Sequence, residues 1–471
     1  MTASSGNTSK FDRSIVEGPI PRAVWRLAWP TMLHQVIGGL QGVVDHVMVG
    51  HYVGYHGNAA IGVAWQIFLV VILFVNSLFV GMAVLVSRFA GANEPDKVNR
   101  TVYQAFLTTI AMSVGIFAPL GYFLSPTLLD LVNASPEVQA EALPYLRVMF
   151  LFMIGLMLFY MLGGALRAAG DAKTPLKYGL ALTVLNMILN IVFIRGLGPI
   201  PAMGTTGAAV GTVIAGGILG LISLNRLFFS TKWVVHFGRG MSLTPDWSII
   251  RELFRFGIPA GIQGVAMNVG GVIMLAYVGS LALSAQAQAA YAVGYSQLFS
   301  FITLTSAGLM AAGATVAGQN LGAGRPDRAV HGVHVASLIG LGVAAAMGTA
   351  FLLIPGTLLG MFGMDDPVVV EIGRQLLTFL SVSGLFVTVA LAYTGGLQGT
   401  GDTKGPLYIS LVSQVFIPIG IVTVIQVTWG LEAWHIWLAI LIGHMTRCGL
   451  SVLRFRQGEW RNIKVEIERA R

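Results

Sequence analysis

Long apolar runs recur along the whole chain, each close to the roughly twenty residues a helix needs to cross a bilayer. In hydrocarbon every backbone N–H and C=O must find a partner within the protein, so such runs fold as membrane-spanning helices. Twelve spans are expected, near residues 24–51, 58–87, 101–124, 142–166, 175–195, 207–229, 252–279, 286–317, 331–359, 374–397, 406–428 and 433–454. Only 10% of the residues are charged, against about a quarter in soluble domains, which excludes an ordinary soluble enzyme. The 59 glycines suit the same class, because small residues let helices approach closely where no hydrophobic force drives them together.

A net charge of +8 would suggest nucleic acid in a soluble protein, but the positions of the basic residues explain it better. With the N-terminus taken as cytoplasmic, all 28 Lys/Arg except Arg147, Arg195 and Arg374 fall toward that side. This is the positive-inside pattern, and it predicts that both termini are cytoplasmic in a multi-pass protein of the cell (inner) membrane. No cleaved signal peptide is expected, since no charged-then-apolar segment with a small-residue cleavage site opens the sequence. Cys448 is the one cysteine, so no intramolecular disulfide can form.

The chain also repeats itself. Gly170-Asp171-Ala172-Lys173-Thr174-Pro175-Leu176 returns as Gly401-Asp402-Thr403-Lys404-Gly405-Pro406-Leu407, 231 positions on. Each copy joins two apolar runs and reads as a helix stop followed by a start: Gly ends one helix, Asp caps the next, Pro sits in its first turn. Arg26-Leu27-Ala28-Trp29-Pro30 likewise resembles Arg255-Phe256-Gly257-Ile258-Pro259 at an offset of 229, and Gln66 matches Gln297 at 231. Six spans per copy return the chain to its starting side. The expected fold is therefore all-α, twelve transmembrane helices in two parallel six-helix lobes related by a pseudo-two-fold axis along the membrane normal. The predicted parts are a cytoplasmic N-terminal segment at 1–21, an N-lobe at 22–229, a cytoplasmic linker at 230–251, a C-lobe at 252–454 and a basic cytoplasmic tail at 455–471.

No Walker-type phosphate loop, nucleophile elbow or metal-spaced His/Cys/Asp cluster stands out, so neither catalysis nor a cofactor is expected. His331 and His334 read as a solvated helix start rather than a metal site. Asp45 is the one carboxylate well inside a span, where a charge costs at least about 2.5 kcal/mol and usually faces a cavity. His34, Gly38, Gln41 and Asp45 follow a spacing of four, three and four, which puts them on one helix face. Thr183, Asn186 and Asn190 form a second polar stripe in the fifth span. Two readings are open: a working polar site, or a network that only fixes helix packing. The repeat bears on the choice, because Met274, Ile417 and Ile421 stand where Asp45, Asn186 and Asn190 stand in the first copy. Structural symmetry alone would not need a polar cluster in one half only. Gln66 and Gln297 join His34, Gln41 and Thr183 as candidate cavity-lining residues. His46 lies about 100° around the helix from Asp45, where a structural role is as good an account.

With these residues in view, the chain resembles the multidrug and toxic compound extrusion (MATE) family over nearly its whole length. The resemblance rests on Val44-Asp45-His46-Val47-Met48-Val49-Gly50, Gly91-Ala92, Leu166-Arg167-Ala168-Ala169-Gly170-Asp171, Leu185-Asn186 with Asn190, and Gly318-Gln319 with Gly322-Ala323-Gly324. It implies a secondary active exporter of small amphipathic or cationic compounds, not an enzyme, driven by Na⁺ or H⁺ with two lobes alternating access. Asp45 and Asn186 match residues of the family's N-lobe cation site, which makes Asp45, Asn186 and Asn190 the expected coupling site and Asp45 the place for a Na⁺. Asn190 stands where some members carry an aspartate, and Met267 where some carry a C-lobe acid. The expected partners are small-molecule substrates and the lipid bilayer, with no nucleic acid, and the chain is expected to work as a monomer. The competing reading is a lipid-linked saccharide flippase of the same superfamily, which would call for basic residues in the cavity to hold phosphates.

Overall fold

The computed structural model describes residues 11–229, 234–237, 243–465 and 467. The expected N-terminal segment, linker and basic tail therefore lie partly outside the described residues.

Among the described residues the fold is helical, with twelve long segments at the expected places. They are α1 (Ile20–Tyr52), α2 (Tyr55–Gly91), α3 (Pro95–Leu131), α4 (Pro136–Phe152 and Ile154–Ala168), α5 (Lys173–Arg195) and α6 (Gly204–Phe229) in the first half. The second half holds α7 (Trp247–Gly279), α8 (Ser284–Gly322), α9 (Pro326–Leu353), α10 (Pro367–Thr400), α11 (Lys404–Thr428) and α12 (Ala433–Gln457). Ten of these are long and apolar enough to cross a membrane, and the two parts of α4, bent by 55°, make an eleventh. The remaining one, α1, runs 33 residues and carries the polar stripe that lowers its mean hydropathy. At 1.5 Å per residue it is about 50 Å long, more than the roughly 30 Å of a hydrocarbon core.

The helices gather into two compact units. Val36–Ile258 form the body of one, and Ser14–Gln35 with Pro259–Lys464 form the other. The change of unit falls inside α1 shortly after Pro30 and inside α7 at Pro259, the two repeat prolines within helices. Three helices carry π-helical stretches that the sequence does not announce, at Ser113–Phe117, Ala292–Leu298 and Leu411–Phe416.

The repeated turn is built as its residues predict. Gly170 and Gly401 both take φ of +103°, which glycine adopts freely and a side chain resists. Asp171 Oδ1 then accepts from the Lys173 and Thr174 amides at 3.1 and 3.0 Å, and Asp402 Oδ1 from the Gly405 amide at 2.9 Å. The copies differ at the second carboxylate oxygen. Asp171 Oδ2 takes the Thr174 hydroxyl at 2.6 Å, whereas Asp402 Oδ2 takes Nε of Arg454 at 2.8 Å.

Close helix contact in the second unit runs through glycine as expected for a membrane protein. Gly395 and Gly399 sit one turn apart on α10, and a Cβ on either would collide with the α8 backbone at Met310 or Ala314. In the first unit, the described part of the linker is tied down on α3. Phe237 packs among Tyr103, Phe106 and Phe228, and Arg100 donates to Asp246 at 2.6 Å. Asp246 also caps α7, accepting from the amide and hydroxyl of Ser248 at 3.1 and 2.6 Å. Burial pushes the Asp246 carboxyl up, but its hydrogen bonds from Ser248 and Arg100 outweigh that and hold it below the usual carboxylate range.

Candidate functional site

The site grows from α5, a helix with one buried face. Pro175, Gly179, Leu182, Asn186, Asn190 and Ile194 are buried at helical spacing, while Leu180, Val184, Ile188 and Ile191 are exposed. Both asparagines are fully buried. Each amide has two donors and an acceptor to satisfy, and leaving one unmade in a dry interior costs about 1–3 kcal/mol.

Their partners define the cluster. The Asn190 amide donates to Asp45 Oδ1 at 2.7 Å, the length of a charge-assisted bond. It also reaches Asn186 Oδ1 at 3.3 Å, and Asn186 in turn donates to the Thr212 hydroxyl on α6 at 3.0 Å. The Thr212 hydroxyl donates to the Ala208 carbonyl at 2.9 Å, which closes the chain of donors. One turn before Asp45, Gln41 Oε1 accepts from Thr183 at 3.0 Å, so the two predicted stripes zip together along α1 and α5. Gly211 makes room for all of this, since a Cβ there would overlap Asn190 Oδ1.

Asp45, Asn186, Asn190, Gln41 and Thr183 are thus brought together. His34, Gln66 and Gln297 are not. His34 shares the helix face of Asp45 but lies eleven residues away, about 16 Å along the axis, and groups with the second unit. Gln66 on α2 and Gln297 in the π-helical part of α8 are exposed. His46 has its own partner, Asn58 Oδ1 at 2.5 Å from Nδ1, and that bond ties the end of α1 to the start of α2. Thr212 is the member that the sequence does not single out.

Oxygen donors dominate the cluster: one carboxylate, two amides and a hydroxyl. That set suits a hard cation or a proton and not a soft metal. No group of three or more His, Cys, Asp and Glu gathers as a metal site among the described residues. At the equivalent places of the second unit, Met274 and Ile421 belong to one apolar core cluster. At these positions the same backbone plan therefore carries polar side chains in one half and apolar ones in the other.

Twelve long helices in a duplicated plan, with a carboxylate held by an amide inside the first half, define a polytopic membrane protein. The MatE family pattern matches residues 30–192 and again 259–423, and the chain belongs to that family. The two matches start 229 residues apart and end 231 apart, the offsets of the internal repeat. The chain is 26% identical to "Probable multidrug resistance protein NorM" of Thermotoga maritima, over 94% of this chain and 93% of that one. It is also 26% identical to "Multidrug resistance protein MdtK" of Pectobacterium atrosepticum, covering 92% and 95%. Among solved structures, it matches an outward-facing multidrug resistance MATE family transporter of the MOP superfamily with a TM-score of 0.88. That match is 19% identical and covers 98% of this chain and all of the other, so it speaks for the fold.

Proposed function

We propose that this chain is a secondary active efflux transporter that exports small amphipathic or cationic compounds in exchange for Na⁺ or H⁺. One observation carries the reading: in a MatE chain, an intramembrane carboxylate is held by a buried amide at 2.7 Å, with further oxygens within one more hydrogen bond. The names of the relatives, which are multidrug resistance proteins, support the substrate class.

The chemistry follows from competition for Asp45. An ionised carboxylate in a partly dry interior needs a compensating partner. A proton neutralises it directly. A Na⁺ does so by taking the Asp45 oxygen together with neutral oxygens from Asn186, Asn190 and Thr212, which requires the Asn190 amide to turn its oxygen toward Asp45. A cationic substrate offers the third solution. Exchange follows if these occupants exclude one another while the site is exposed alternately to the two sides of the membrane. The orientation rests on the Lys/Arg distribution, which favours cytoplasmic termini in an inner membrane.

The test is efflux of a fluorescent organic cation from proteoliposomes under an imposed H⁺ or Na⁺ gradient, one at a time. Gradient-driven efflux by the wild type and its loss in a folded Asp45→Asn variant are expected. Efflux that ignores both gradients, or persists with normal gradient dependence in Asp45→Asn, would sink the reading.

A further inference from the structure

The second unit holds a buried cation that the efflux reading does not use. Arg447 counts with the basic C-terminal end when the sequence is read alone, but α12 runs on to Gln457 and its side chain is inside the protein, 3% exposed. His444 and Ser451 lie three and four residues to either side and so share its helix face, at 3% and 0% exposure. Arg447 Nε, His444 Nδ1 and Ser451 Oγ are all buried without a hydrogen-bond partner among the described residues. None of the ion pairs among the described residues includes Arg447.

A guanidinium does not escape this position by losing its proton, as a lysine can. A buried charge is kept where an opposite charge pairs with it. One turn away on the same face, His444 packs on an aromatic ring instead. Tyr295 of α8 is half-buried and belongs to the same run of rings. The rings stack in a column: Tyr291 on Tyr295 at 4.9 Å, Tyr295 on Phe299 at 5.5 Å, Phe299 on His444 at 5.8 Å. Tyr295 also sits in the π-helical stretch Ala292–Leu298, an irregularity often found where helices serve a site.

We propose that Arg447, with His444, Ser451 and the Tyr295 hydroxyl, binds the carboxylate of an amphipathic organic acid inside the second half of the protein. The fork of Arg447 matches the two oxygens of a carboxylate, the hydroxyls and imidazole offer further donors, and the aromatic column receives the apolar body. This inference stands apart from the Asp45 site and does not rest on it. It extends the compounds the chain handles from cations to acids and zwitterions.

The test uses the purified full chain in detergent with sodium benzoate as probe, and sodium phosphate and sodium chloride at matched ionic strength. Trp437, whose ring lies 5.8 Å from that of Tyr291, reports binding by fluorescence alongside calorimetry. Saturable benzoate binding is expected in the wild type. Arg447→Gln should weaken it by roughly tenfold or more, and Tyr295→Phe, which keeps the stack, by several-fold. Arg456→Gln, at an exposed position on the same helix, should leave it unchanged. If Arg447→Gln does not fold, Arg447→Lys keeps the charge without the fork and should still bind several-fold more weakly. Benzoate binding that is absent from the wild type, or as strong in Arg447→Lys and Tyr295→Phe as in the wild type, overturns the proposal. So does saturable binding of phosphate or chloride without benzoate.

Discussion

Replacing Asn190 by leucine removes the amide that holds Asp45 while keeping the volume of the side chain close to its original. In the structure this deletes the 2.7 Å bond to Asp45 and both contacts with Asn186. A hydrogen bond to a charged group contributes about 1.5–3 kcal/mol. If the same amide supplies an oxygen to the bound coupling ion, that loss weakens the ion by roughly 10- to 150-fold. Thr212→Val removes only the outer, neutral bond to Asn186, which is about 0.5–1.5 kcal/mol, or roughly two- to tenfold. The assay is efflux from proteoliposomes as a function of coupling-ion concentration, with thermal melts to show that each variant is folded. The expected order of half-saturating concentrations is wild type, then Thr212→Val, then Asn190→Leu. A folded Asn190→Leu protein with wild-type half-saturation would refute the argument and leave the asparagines as packing residues.

Gly211→Ala should mimic Asn190→Leu in ion dependence, because the added Cβ displaces Asn190 Oδ1; unchanged half-saturation in a folded variant would count against that placement. His46→Ala should lower stability by about 1 kcal/mol through loss of the Asn58 bond and leave the coupling-ion dependence alone, read by melting and by efflux. Asp246 is held below the ordinary carboxylate range, so its contribution is complete above that range and is lost as pH falls through its lowered value. Hydrogen exchange around residues 243–249 should therefore be flat near neutrality and rise only in acid, with Arg100→Gln moving the rise to higher pH. Impermeant thiol labelling of single cysteines in a Cys448→Ala background should find the linker cytoplasmic; position 240, outside the described residues, is the probe site, and labelling from outside intact cells would reverse the orientation.

Much of this was open to view in the sequence because membrane helices obey length and period. The span limits follow from apolar runs, and the turn at Asp171 and Asp402 from local cap chemistry. The link between α1 and α5 follows from polar residues at spacings of three and four. What stayed hidden depends on depth and on third partners. His34 is on the right face of α1, but a helical wheel has no axial coordinate, and three turns separate it from Asp45. Gln66 and Gln297 match across the repeat and are both exposed, apart from the Asp45 cluster. Thr212 is an ordinary residue type in an apolar helix, visible only once α6 is packed against α5. Arg447 falls within the expected twelfth span yet counts with the C-terminal basic residues, because charge counting does not register burial.

The single-copy polar cluster on a duplicated backbone also sets how the two halves tolerate mutation. Met274 and Ile421 need only fill space, so selection can exchange them among Leu, Val and Met with little penalty. Asp45 and Asn190 have no such neutral neighbours in sequence space, since an apolar substitution at either strands the other's buried polar group. In a saturation library scored for drug resistance, equivalent positions in the two halves should give opposite profiles, one broad and one narrow. The ancestral doubling supplied two scaffolds, and freedom from a polar cluster at these positions in one of them leaves that half open to acquire a different specificity.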